Sequence, residues 1–130
     1  MMREIKFRGK ADEWFFGDLE YNRARKIARI HYYDENGNYA GQSIVDADTV
    51  GQFTGLHDKN GRDIYEGDIL DVTVFDCFDN ATQYKVRVEW RGSQFIGADI
   101  RDDAAWEMEW LHSQDDEIEI IGNIYDDEQE

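Results

Sequence analysis

Residues 83–91, QYKVRVEWR, alternate apolar and charged side chains without a break. Tyr84, Val86, Val88 and Trp90 fall on one side of an extended chain, and Lys85, Arg87, Glu89 and Arg91 on the other. A period of two is that of a β-strand. One apolar and one charged face is what an antiparallel sheet covered on a single side requires. The same pattern recurs more briefly elsewhere. In EIKFR (4–8), Ile5 and Phe7 share a face, and in ILDVTVF (69–75) Leu70, Val72 and Val74 do. WFFGDLEY (14–21), IARIHYY (27–33), FIGADI (95–100) and a closing IEIIGNIY (118–125) are weaker strands of the same kind.

Between them lie two tight reversals, DENGN (34–38) and DKNGR (58–62). Asn-Gly tolerates the positive φ angles of a hairpin turn, so both are expected to close β-hairpins or similar turns. Residues 22–30, NRARKIARI, fit either a helix or a strand, and the alternation of Ile27, Arg29 and His31 favours strand. Residues 103–111, DAAWEMEWL, suit a short helix with Trp106 and Trp110 on one face, four residues apart.

The fold class that follows is mostly β, with short antiparallel strands forming a small SH3-like or partly open barrel. An additional β subdomain and at most one or two short helices complete it. The SH3-like element rests on EGDILDVTV (66–74), a Gly-Asp corner leading into an apolar strand. At 130 residues the chain suits one domain, 1–125. That domain divides into an N-terminal β subdomain, 1–50, and a barrel-like part, 51–125. The acidic tail 126–130 has no apolar anchor and is expected to fray.

The net charge of −16 is unevenly spread. Residues 1–30 hold eight Lys or Arg against five Asp or Glu, and residues 31–130 hold six against 25, leaving +3 and −19. Such a field repels nucleic acid over most of the surface, so duplex DNA is not the expected partner. The carboxylates Glu107, Glu109, Asp115, Asp116 and Glu117 are the candidate interaction surface, suited to a basic host protein. Self-association through an unpaired barrel edge is a further expectation. No apolar run approaches the roughly 18 residues of a membrane span. MMREIKFRGK lacks the apolar block of a signal peptide. The single Cys77 cannot form an internal disulfide. A cytoplasmic protein without a membrane partner is the expectation.

Catalytic and metal chemistry find little support. Calcium loops require oxygen ligands at positions 1, 3 and 5, Gly at 6 and Glu at 12. With Gly61 at position 6, Leu56 and Gly67 occupy positions 1 and 12; with Gly37 there, Tyr32 and Ser43 do. One Cys and three scattered His offer no zinc motif, and no cofactor is expected. Cys77 has no His beside it and is expected to be structural. Glu66 and Asp68 flank Gly67 and could supply an acid and a base, but in a corner such residues more often accept turn N–H groups. Trp14, Phe15 and Phe16 lie near Arg8 and Lys10, and core packing outweighs base stacking as their role. Asn60, Gly61, Gly67 and Asp68 are assigned to the turn and corner, with no catalytic residue.

Three segments carry a resemblance. MREIKFRGK (2–10), VGQFTGLHDKNGRDIYEGDIL (50–70) and IEIIGNIYDD (118–127) together resemble the YopX family, small proteins found mostly in bacteriophages and prophages. The resemblance implies a mostly-β fold with a compact barrel-like part and a bacterial cytoplasmic setting. It carries over no catalytic residue. Three functions therefore stand side by side: a non-enzymatic interaction module, an acidic decoy that mimics DNA towards a basic host protein, and a nucleic-acid-binding barrel using the basic N-terminal third.

Overall fold

The computed structural model describes residues 4–114 and 117–126. The chain forms two compact units, 1–53 and 54–130. Four strands build the first: β1 (Phe7–Lys10), β2 (Trp14–Asn22), β3 (Ile27–Tyr33) and β4 (Tyr39–His57), whose last residues enter the second unit. All pairings are antiparallel, and the sheet is partly ring-like. β4 pairs with β3 up to Val45↔Ala28, then crosses to β1 at Asp46↔Lys10 and Gly51↔Arg8. The crossover has a chemical cause. Asp46 accepts the Asp48 N–H at 3.0 Å, and the Thr49 hydroxyl bridges the Asp46 carbonyl and the Lys10 N–H. Inside lie Ala28, Ile30 and Val45, with Phe7, Phe15, Leu19, Ala47 and Val50 against them. Ile5, expected beside Phe7, precedes the strand and is exposed.

The second unit contains β5 (Asp63–Tyr65), β6 (Asp68–Phe75), β7 (Ala81–Arg91), β8 (Gln94–Asp99), β9 (Ala105–Glu107), α1 (Met108–Gln114) and β10 (Glu119–Asn123). Its sheet runs β10-β6-β7-β8-β9 and is antiparallel throughout. β7 behaves as its alternation requires: Val86 and Val88 are buried, while Arg87 and Glu89 face the other way. Leu70, Val72, Val86 and Val88 form the apolar face, and Met108 and Leu111 of α1 cover it with Ile64 and Ile118. A Cβ on Gly97 of β8 would lie 2.8 Å from Leu111 Cδ1, so the Leu111 side chain of α1 packs directly on the glycine.

The helix starts later than the sequence suggests. Residues 105–107 are captured as an edge strand by β8, with Gly97 opposite Trp106, and Trp106 packs on Tyr84 at 4.9 Å. Trp110 lies on α1 and is exposed, so the two tryptophans do not share a helical face. Residues 22–26 form the β2–β3 turn, with Lys26 at φ +58° and the Asn22 side chain accepting the Arg25 N–H. The tail beyond residue 126 lies outside the described residues.

The β6–β7 hairpin outruns its neighbours. Its four outermost pairs, Val72↔Tyr84 to Phe75↔Ala81, lie past the ends of β10, which stops at Asp71, and β8, which stops at Val86. Residues Phe75 to Gln83 are exposed without interruption. Cys77 is at this tip and exposed.

Candidate functional site

The corner of residues 58–68 is built around two carboxylates. Asp58 accepts the N–H groups of Asn60 at 2.9 Å and Arg62 at 3.0 Å, and its own N–H reaches the Arg62 carbonyl. Gly61 has φ +78° and donates to the Asp58 carbonyl, while Asn60 has no positive φ. The turn is thus a type I turn closed by a left-handed glycine, not one with both central residues left-handed. The same plan recurs at Asp34 with Gly37, and at Asp76 with Asp79 at φ +63°. The sequence signal is an Asp three residues before the left-handed position. Asp58, which carries the turn, was missed by attending to Asn-Gly alone.

Asp58 also reaches across to β10. Ile120 donates its N–H to Asp58 Oδ2 at 3.1 Å, Arg62 Nη2 donates to the Ile120 carbonyl at 2.8 Å, and the Lys59 N–H donates to the Ile118 carbonyl at 2.8 Å. Those bonds take backbone groups on the outer side of β10, which blunts an edge that could otherwise pair with another chain. Burial pushes the Asp58 carboxyl up, but the Ile120, Arg62 and Asn60 N–H groups and the Arg62 guanidinium outweigh it and hold it below the usual range. Gly67, at φ +96°, donates to the Val88 carbonyl at 2.8 Å and accepts from the Ile124 N–H at 2.9 Å. Asp68 is buried and accepts the Tyr65 N–H at 2.8 Å, which places its carboxylate within the corner.

Of the proposed acidic surface, Glu107 ends β9, Glu109 is in the first turn of α1, and Glu117 follows the helix. All three are exposed. Seven helical residues, about 10 Å of rise, separate Glu107 from the far end of α1. Asp115 and Asp116 lie outside the described residues. Among the described residues no group of three or more His, Cys, Asp or Glu could hold a metal ion.

The basic residues of the first unit lie on aromatic rings. The Arg8 guanidinium is 4.6 Å from the Trp14 ring centre, Lys10 is 5.9 Å from it, and Lys6 is 4.8 Å from the Phe53 ring. Phe15 packs on the core, whereas Phe16 is exposed. On the outer face of β2–β4, Glu20 Oε1 lies 2.7 Å from His31 Nε2, and His31 Nδ1 lies 3.0 Å from the Tyr39 hydroxyl. Tyr33 donates to Asp18 at 2.7 Å, a bond that raises the Tyr33 pKa. Tyr33 and Tyr39 meet edge to face, 5.8 Å between centres. Four of these side chains, Glu20, His31, Tyr39 and Arg29, come together only through strand register, which a sequence does not display.

Two of the three segments that carried the sequence resemblance, 50–70 and 118–127, thus meet in the second unit, while 2–10 lies in the first. Residues 58–62 clamp β10, and Gly67 receives Ile124. A family model described as YopX protein matches residues 6–129. The chain belongs to the YopX family. No curated protein matches it. In this YopX chain the 50–70 segment and the 118–127 segment are two halves of one structural device. Together they fix the second unit's corner and the outer side of β10.

Proposed function

We propose that this YopX-family chain is a non-enzymatic interaction module of the phage or prophage type, working in the cytoplasm, that binds a basic protein through its second unit. The observation that carries this is the partition of charge. Residues 1–53 hold eight Lys or Arg against nine Asp or Glu, a net −1, and residues 54–130 hold six against 21, a net −15. Five of those six cations are already engaged by carboxylates of the same unit. Lys59 pairs with Glu119, Arg62 with Asp58, Arg87 and Arg91 with Glu89 and Asp103, and Arg101 with Asp99. Asp58, Asp68, Asp76 and Asp99 are occupied in turns and corners. Glu107 and Glu109 add to the outward field, with Trp110 exposed beside Glu109. A net anionic unit suits a cationic partner and speeds its approach.

A narrower form of the same reading is a decoy that occupies the nucleic-acid-binding surface of a host protein. The test is retention of proteins from a cell extract on the immobilised full-length chain, eluted by salt from about 0.05 to about 0.5 M. A basic protein that elutes as salt rises is expected, and for the decoy form its DNA binding is inhibited by the chain. Retention of acidic proteins only, or of duplex DNA itself, would sink the proposal.

A further inference from the structure

The projecting β6–β7 hairpin offers apolar side chains outward on a hydrogen-bonded support. Phe78 is 80% exposed, the most exposed large apolar side chain among the described residues, and Phe75 is 52% exposed. The tip is closed by its own hydrogen bonds. Asp76 accepts the N–H groups of Phe78 at 2.8 Å and Asn80 at 2.9 Å and the Asn80 amide at 3.2 Å, while Asp79 donates to the Asp76 carbonyl. These bonds hold the Asp76 carboxyl below the usual range. Val72 is still fully buried and Val74 and Tyr84 pack on the core, so the turn stands beyond the covered part of the sheet on the exposed run from Phe75 to Gln83. No buried contact explains an aromatic at position 78. A loop serving only to reverse the chain would favour a polar residue there.

We infer that this hairpin is the anchor of the interaction proposed above: Phe78 enters an apolar pocket of a folded partner protein whose rim is cationic. The inference rests on that proposed function for the sign of the partner. The pocket is required by the side chain, and the rim by charge. Residues 71–84 contain Asp71, Asp76 and Asp79 and no Lys or Arg. The same charge sets the tip against an anionic bilayer, which repels it and attracts only basic segments. Because the turn is already hydrogen-bonded, little ordering remains to oppose docking, so the aromatic contact appears in affinity nearly undiminished.

The test uses the full-length chain with a photoreactive phenylalanine analogue at position 78, irradiated in the cells that encode it, and the crosslinked peptide is mapped. One protein is expected, crosslinked at apolar residues flanked by Lys or Arg. With that protein purified, Phe78→Ser should weaken binding at least about thirty-fold. Asp79→Asn, which keeps a side chain suited to the left-handed turn, should weaken it a few-fold, with the difference vanishing at high salt. Neither variant should shift the thermal midpoint, since both side chains are exposed. Crosslinks only to a second copy, or Phe78-dependent sedimentation with phosphatidylglycerol–phosphatidylcholine vesicles, would overturn the inference. A basic partner bound equally by Phe78→Ser removes the anchor but leaves the proposed function standing. The absence of any salt-sensitive basic partner removes both.

Discussion

The Asp58 side chain has no exposed surface, yet it accepts three backbone N–H groups and a guanidinium. Replacing it with Ala strands those donors, of which Ile120 N–H is on the blunted side of β10. Asp58→Ala should therefore destabilise the protein by about 2–3 kcal/mol, the cost of leaving buried donors unpaired, measured by urea unfolding. Its titration gives a second check. The folded carboxyl is held below the unfolded value of about 3.9. Its contribution is thus full above that value and is lost as pH falls through the folded one. Asp58→Asn should flatten the decline of stability on acidification in that window, and an unchanged acid limb would show the carboxylate to be unimportant. Gly61→Val should cost about 1–3 kcal/mol through backbone strain alone. A Cβ there meets nothing within 4 Å, and φ is +78°. At this scale Gly61 was legible in the sequence because Asn-Gly announces itself. Asp58 was not, because its main work is done on Ile120, 62 residues away.

Among the elements, β7 was legible because one of its faces is covered along its middle. Val86 is fully buried, so Val86→Asp places an unpaired charge in the core and should cost more than about 4 kcal/mol. Arg87 joins Glu89 and Asp103 on the open face, so Arg87→Gln should cost at most about 1 kcal/mol. Equal effects in a thermal melt would mean that the faces are exchanged. Gly97→Ala would crowd the buried Leu111, Val86 and Met108 side chains and should cost about 1–3 kcal/mol. β4 was illegible. Its burial alternates from Gly41 to Phe53, but the inward positions include Gly41, Ser43, Thr49 and Gly51, so no apolar period shows in the sequence. Residues 105–107 misled for the opposite reason. Their local composition suits a helix, but pairing with β8 and the Tyr84–Trp106 contact outweigh a propensity worth a few tenths of a kcal/mol per residue.

For the whole molecule, charge makes the sharpest expectation: the chain should not bind duplex DNA at physiological salt. A protein module that does so neutralises several phosphates with a continuous basic surface. Here positive charge is in excess only within residues 1–30. Within that stretch Arg8 and Lys10 are stacked on Trp14, and Arg29 lies 3.9 Å from Glu20. Using these groups for phosphates would mean giving up contacts already made. Arg23, Arg25 and Lys26 in the exposed β2–β3 turn are the remaining cluster, and three charges on one turn are few against a molecule of net −16. A Debye length of about 8 Å leaves room for a local patch to act on its own, which is why the outcome needs measuring. Fluorescence anisotropy of a short labelled duplex at about 0.15 M salt should show no binding in the micromolar range. Micromolar binding that weakened steeply with salt and was lost on changing Arg23, Arg25 and Arg29 to Ala would reverse the argument. The first unit would then be the functional one, and the −15 of the second would serve to keep other anionic surfaces away.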